Sequence, residues 1–206
     1  MNEIEIFPLF ACNVFLSTIS EDLSILQKAK DQDFHQSTFG NGNFASNNLK
    51  VLENFPSVKE IIKRHFNDIR DNVLKYNDTE FEFTTSWITK FIQGSSCQFH
   101  GHLNSLYSGI LYFDEYDDDC GHLEFDSPFI TNQIYVKPNE YNIVNSNSYK
   151  FKPKKNLLIT FPSFLRHRVC THFSKNDRYS LAFNLIPVGN IGSNDSRVNI
   201  DLNQIF

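Results

Sequence analysis

At 206 residues and 40% apolar side chains, the chain is long enough for one domain with a substantial core, and the expectation is a single domain over 1–206. The formal charge of −5, from 24 acidic and 19 basic residues without a long Lys/Arg block, argues against a nucleic-acid partner. No apolar run approaches the roughly 18 residues a spanning helix needs, and no basic-then-apolar leader opens the chain, so a cytoplasmic protein with no membrane partner is expected.

The 21 Phe and 8 Tyr point to aromatic packing between sheets. Residues 4–16 read as a strand interrupted by Pro8. Ser20-Glu21-Asp22-Leu23 then opens a short helical segment reaching about Lys30. The Asn-, Ser- and Gly-rich stretch 33–50 reads as a long loop, either a binding segment or disordered. A second helix is predicted from Ser57, where Glu60 completes a capping box and Ile62, Phe66, Ile69 and Val73 recur at helical spacing. From Phe81 the pattern changes to about ten short strands: 81–93, 97–103, 107–114, 121–126, 133–137, 140–145, 147–151, 156–161, 167–171 and 178–187. One or two helices followed by many strands predict a mainly β, closed double sheet with the helices packed outside.

His100-Gly101-His102 places two imidazoles on one side of an extended segment, because side chains alternate with period two. His167, several strands later, can close one face of an octahedral metal with them, leaving positions for oxygen and an organic co-substrate. Cys12, Cys97, Cys120 and Cys170 contain no C-x-x-C pair, which disfavours zinc and fits reduced thiols. Arg178, two residues before Ser180 on a strand that also carries Ala182 and Asn184 on the same face, suits a bidentate clamp for a carboxylate. The usual facial triad has an acid two residues after its first His. Here that position holds His102, which either binds the metal or stands just behind it as an orienting donor.

Ordered blocks run through the chain: Ser86-Trp87-Ile88, His100-Gly101-His102-Leu103-Asn104-Ser105, Ser108-Gly109-Ile110-Leu111-Tyr112-Phe113, Gly121-His122-Leu123-Glu124-Phe125, Phe161-Pro162-Ser163, His167 and Arg178-Tyr179-Ser180-Leu181-Ala182-Phe183-Asn184. On these blocks the chain resembles the 2-oxoglutarate/Fe(II)-dependent oxygenases common in marine phages and bacteria. The resemblance implies a double-stranded β-helix, or jelly roll, and Fe(II), 2-oxoglutarate and O2 as cofactor and co-substrates. It further implies metal ligands drawn from His100, His102 and His167 and a co-substrate clamp of Arg178 and Ser180. Tyr112 matches a position whose hydroxyl reaches the same carboxylate in related hydroxylases, or else is a core aromatic. Asn184 would orient the co-substrate or satisfy a strand end. The implied activity is hydroxylation of an unidentified small-molecule or peptide substrate, with release of succinate and CO2. A family member carried by a phage would work in the host cytoplasm.

Two rival readings differ in class. A cupin-like three-His enzyme without 2-oxoglutarate suits the histidines but leaves Arg178 unexplained, and a non-catalytic jelly-roll module makes the histidines incidental. The acidic run 114–119 reads as a solvated turn, and His35, His65, His122 and His172 as ordinary histidines.

Overall fold

The structure is a computed structural model, and it describes residues 4–76, 78–129, 134 and 136–204. Eleven strands lie among these residues: β1 (Phe15–Thr18), β2 (Phe34–Gln36), β3 (Gly40–Ser46), β4 (Glu80–Cys97), β5 (Tyr107–Leu111), β6 (Leu123–Asp126), β7 (Ser148–Phe151), β8 (Leu157–Pro162), β9 (His167–Val169), β10 (Arg178–Ile191) and β11 (Val198–Ile200). The larger sheet runs β1-β8-β5-β10-β4-β3-β2, with β11 on the far end of β10. The smaller sheet runs β7-β6-β9 and is extended by a reciprocal bridge between His100 and His167. This mainly β arrangement of two antiparallel layers is the jelly roll expected from the sequence.

Alternation along β10 divides its side chains between two environments. Leu181, Phe183 and Leu185 pack into the core on the outer face, while Arg178, Ser180, Ala182 and Asn184 face the space between the sheets. The helix α1 (Pro56–Asp68) covers that outer face with Val58, Ile62 and Phe66, and the Phe66 ring lies 5.0 Å from Phe81 and 5.4 Å from Tyr107. Gly109 sits under Phe183, whose ring would lie 2.2 Å from an added Cβ, so only glycine lets this row close. A second core of Ile110, Tyr112, Leu123, Phe125, Ile159, Phe161 and Leu165 fills the inner space on the side away from β4.

A β-bulge determines what β4 contributes. Asn184 pairs with Thr85 but Leu185 pairs with Phe83, so Thr84 is the extra residue and the alternation of β4 changes parity there. Phe81 and Phe83 join the outer core before it. After it, the odd positions Thr85, Trp87, Thr89 and Phe91 turn inward.

Several sequence expectations are corrected. Residues 34–46 form the hairpin β2–β3, with Phe34 opposite Ser46 and Asn43 opposite Phe91 of β4, rather than a loop; pairing with β4 overrides the weak strand propensity of its Gly and Asn. The segment 4–16 is strand only from Phe15, and the first helical segment is a 3-10 turn over Ser24–Lys30. The α1 helix starts at Pro56, whose fixed φ suits the first turn. Ser57 therefore lies inside the helix, and no capping box forms. The helix continues as a π-type turn, Ile69–Leu74, ended by Lys75 at φ 59°. The stretch 140–145 is turn, and only the bridge at His100 survives beyond Cys97. The predicted strand 133–137 falls partly outside the described residues.

Candidate active site

The bridge between His100 and His167 assembles the site. Each residue's N–H donates to the other's carbonyl, at 3.0 and 2.9 Å, which sets the two side chains facing, ring centroids 4.5 Å apart. The His102 N–H donates to the Ser163 carbonyl at 2.8 Å, so the segment 100–102 is pinned at both ends. Gly101 fits between because an added Cβ would press to 3.2 Å from the Phe164 carbonyl oxygen. One ligand nitrogen from each of the three imidazoles lies within 4.8 Å of the other two.

Every Nδ1 of the three is already engaged. His100 Nδ1 meets the Gln98 carbonyl at 2.9 Å, His167 Nδ1 meets the Leu165 carbonyl at 3.0 Å, and His102 Nδ1 meets Asn184 Oδ1 at 2.6 Å. The two backbone carbonyls can only accept, so Nδ1 of His100 and of His167 carries the proton and their Nε2 atoms keep their lone pairs. Burial pushes all three imidazoles below their ordinary pKa, and mutual repulsion with His100 and His102 adds to burial in holding His167 at about 3. They are neutral at physiological pH, the form that ligates a metal. A column of rings supports two of them: Phe39 stacks on His100 (5.4 Å, 4°), His100 on His102 (5.3 Å, 20°), and Trp87 tilts against His102 (5.6 Å).

The histidines open into a cavity of about 520 Å³ whose lining also holds Arg178 and Ser180. Arg178 is 1% exposed and makes no ion pair among the described residues. It donates to the Tyr112 hydroxyl at 3.1 Å and to Ser180 Oγ at 3.4 Å, its Nε has no partner, and its guanidinium lies 5.1 and 5.2 Å from the Phe91 and Tyr112 ring centres. A buried cation without a counter-charge is costly, so this wall is built to receive an anion. Tyr112 is fully buried in the inner core and reaches the guanidinium rather than the cavity; burial raises its pKa, keeping the hydroxyl protonated. The amide of Asn184 is spent on His102, Ser108 and Thr85.

Three neutral nitrogens on one face and a buried guanidinium across one cavity fit a hard or borderline divalent metal and an anionic co-substrate. Residues 85–184 match the family model described as "Putative 2OG-Fe(II) oxygenase". This stretch, just under half of the chain, is similar to the 2OG-Fe(II) oxygenase family. All seven site residues read from the sequence lie inside that match, and the family's chemistry uses Fe(II), 2-oxoglutarate and O2.

Solved structures with the same fold include a prolyl-4-hydroxylase from Pseudomonas putida (TM-score 0.54, 13% identity, 84% of this chain and 92% of that one). HygX from Streptomyces hygroscopicus with nickel and 2-oxoglutarate bound gives a TM-score of 0.55 at 10% identity over 95% of each chain. The non-heme alpha ketoglutarate dependent epimerase SnoN from nogalamycin biosynthesis gives 0.60 at 7% identity, over 85% of this chain and 78% of that one. No curated protein matches the sequence. Among the described residues no helix is long and apolar enough to cross a membrane.

What sequence reading missed is the wall supplied by the hairpin and by β4. Ser37, Thr38, Phe39, Asn43 and Phe44 line the cavity, as do Trp87, Thr89 and Phe91. The stretch 33–50 reads from sequence as a binding or disordered loop, because its Asn and Gly content conceals strands whose pairing with β4 is long-range. Asn104, two residues after His102, is exposed at φ 57° and serves the turn.

Proposed function

We propose that this 2OG-Fe(II) oxygenase hydroxylates an organic substrate: a C–H group, 2-oxoglutarate and O2 give the alcohol, succinate and CO2. The observation that carries the reading is the convergence of three Nε2 atoms and a buried, acid-free Arg178 on one cavity. His100, His102 and His167 would hold Fe(II) through Nε2, and Arg178 with Ser180 would take the distal carboxylate of 2-oxoglutarate. The bound iron supplies the oxidising chemistry, which side chains alone cannot perform.

The rest is done by this chain. Arg178 binds and orients one end of the co-substrate, and Tyr112 holds the guanidinium in plane by accepting from it. Ser180 Oγ, 2.7 Å from Thr89 Oγ1, is kept beside the same group. Phe39, Phe44, Trp87 and Leu49 exclude water from the cavity wall, strengthening the charge interactions inside. Four unpaired thiols support a reducing, cytoplasmic setting.

A three-His enzyme without 2-oxoglutarate is favoured by the donor set, since among the described residues no carboxylate joins the three imidazoles. Arg178 weighs against it. Incubation with Fe(II), O2 and 2-oxoglutarate should release succinate in wild type, and the Arg178→Ala protein should keep iron but lose that release. Iron-dependent turnover of an organic substrate without 2-oxoglutarate would favour the rival. Hydroxylation itself is checked by product mass: a gain of one oxygen supports it, and an unchanged mass with inverted configuration would replace it with epimerisation.

A further inference from the structure

We propose that Asn184 is a positioning residue that makes His102 a metal ligand: its carboxamide oxygen accepts a hydrogen bond from the Nδ1–H of His102, keeps the ring proton on that nitrogen and so leaves Nε2 free for the metal. The inference rests on the three-His reading of the site and goes beyond it, assigning Asn184 to the metal side rather than to the co-substrate.

The argument begins with the sheet. On β10, Asn184 stands between Thr85 of β4 and Ser108 of β5, its partners on either side. The bulge at Thr84 turns Thr85 inward at this level, where its hydroxyl can meet the Asn184 amide. One row of four short polar side chains results, running from Thr85 through Asn184 and Ser108 to Ser163.

Donor counting then orients the row. Asn184 Nδ2 donates to Thr85 Oγ1 at 2.9 Å, which leaves Oδ1 to face the other way. Oδ1 accepts from Ser108 Oγ at 2.7 Å and from His102 Nδ1 at 2.6 Å. Ser108 Oγ also lies 3.2 Å from His102 Nδ1, but its only proton goes to the closer Asn184 Oδ1 at 2.7 Å, so its oxygen accepts from Ser163 Oγ at 2.8 Å. Contact as close as 2.6 Å suits an oxygen acceptor better than a bulkier amide nitrogen. A reversed amide would donate to His102 Nδ1, and the imidazole proton would move to Nε2, where a metal could not bind. His100 and His167 are held in the same tautomer by backbone carbonyls. His102 alone depends on a side chain, and therefore on sequence.

Co(II) titration of the purified full chain tests this, with affinity and the visible Co(II) absorption as readouts. Asn184→Leu keeps the side-chain size and removes the acceptor. It should lose about 10–100-fold in Co(II) affinity, the usual cost of deleting a group that orients a ligand, and its spectrum should match that of His102→Ala. Asn184→Asp restores an acceptor oxygen and should bind Co(II) at least as tightly as wild type with a wild-type spectrum, a rescue that a merely space-filling role would not produce. Far-UV circular dichroism identifies a variant that fails to fold, and Ser108→Ala, which leaves Asn184 in place, should then show a smaller loss in the same direction. Wild-type affinity and spectrum in a folded Asn184→Leu protein would overturn the inference, as would a folded Asn184→Asp no better than Leu. His167→Ala separates the two readings: if it binds Co(II) as wild type does, the three-His site itself is wrong, whereas weak binding there with intact Asn184→Leu affinity removes only the role of Asn184.

Discussion

Arg178 donates to the Tyr112 hydroxyl at 3.1 Å, and this bond joins two strands that are not paired to each other at that level, since β5 ends at Leu111 opposite Leu181. The relationship makes Tyr112 the brace of the anion site. Arg178→Ala should abolish 2-oxoglutarate binding while Co(II) binding stays within about threefold, and Arg178→Lys should recover little because a point charge cannot reproduce the fork. Tyr112→Phe removes one hydrogen bond worth about 1 kcal/mol, so 2-oxoglutarate affinity should fall about fivefold. Calorimetric titration of the Co(II)-loaded variants checks both. An Arg178→Ala protein that binds 2-oxoglutarate normally would remove the clamp.

The metal-free protein should lose stability in acid through His167. Its folded pKa, about 3, lies below the ordinary imidazole value near 6.5. The unfolded chain therefore takes up a proton below about pH 6.5 that the folded chain refuses, so the contribution is complete above pH 6.5 and is lost as pH falls towards 3. Its size over that window is on the order of 3–5 kcal/mol. Urea unfolding of metal-free protein at pH 7.5, 6, 5 and 4 measures the slope. His167→Phe, which cannot titrate, should flatten it, and parallel slopes for the two proteins would contradict the assignment.

Phe39 stacks on His100 and is 53% exposed as a residue, so its loss should touch the site more than the core. A ring pair of this kind contributes about 0.5–1.5 kcal/mol. Phe39→Ala should then weaken Co(II) binding by about 2–10-fold with little change in melting temperature. A large fall in melting temperature with unaltered metal affinity would instead make Phe39 a structural anchor of the hairpin.

Ser57→Ala should be nearly silent. A capping serine would cost about 1 kcal/mol when removed, but Ser57 lies one residue inside a helix begun by Pro56 and caps nothing. Thermal unfolding should show a change below about 0.5 kcal/mol. Loss of a full kilocalorie would mean that the helix starts two residues later in solution, with Ser57 as its cap.

How much of this was legible in the chain varied with the range of the physics involved. The three histidines, Arg178 and Ser180 were readable because period-two alternation and the chemistry of each side chain are local, and these residues do meet across one cavity. The α1 helix was visible in Ile62 and Phe66, whereas its start was misread because Ser57 and Glu60 imitate a capping box that Pro56 displaces.

By itself, then, the sequence determined the residue types of the site, their facing by alternation and the mainly β architecture. Tertiary structure alone decided that residues 34–46 are a hairpin, that Tyr112 braces Arg178, and that Asn184 faces His102. These depend on which strand lies beside which, and on one bulged residue at Thr84 that changes the parity of everything after it. Hydrogen bonds across strands reward only the register that all neighbours share, and no local window of sequence contains that condition.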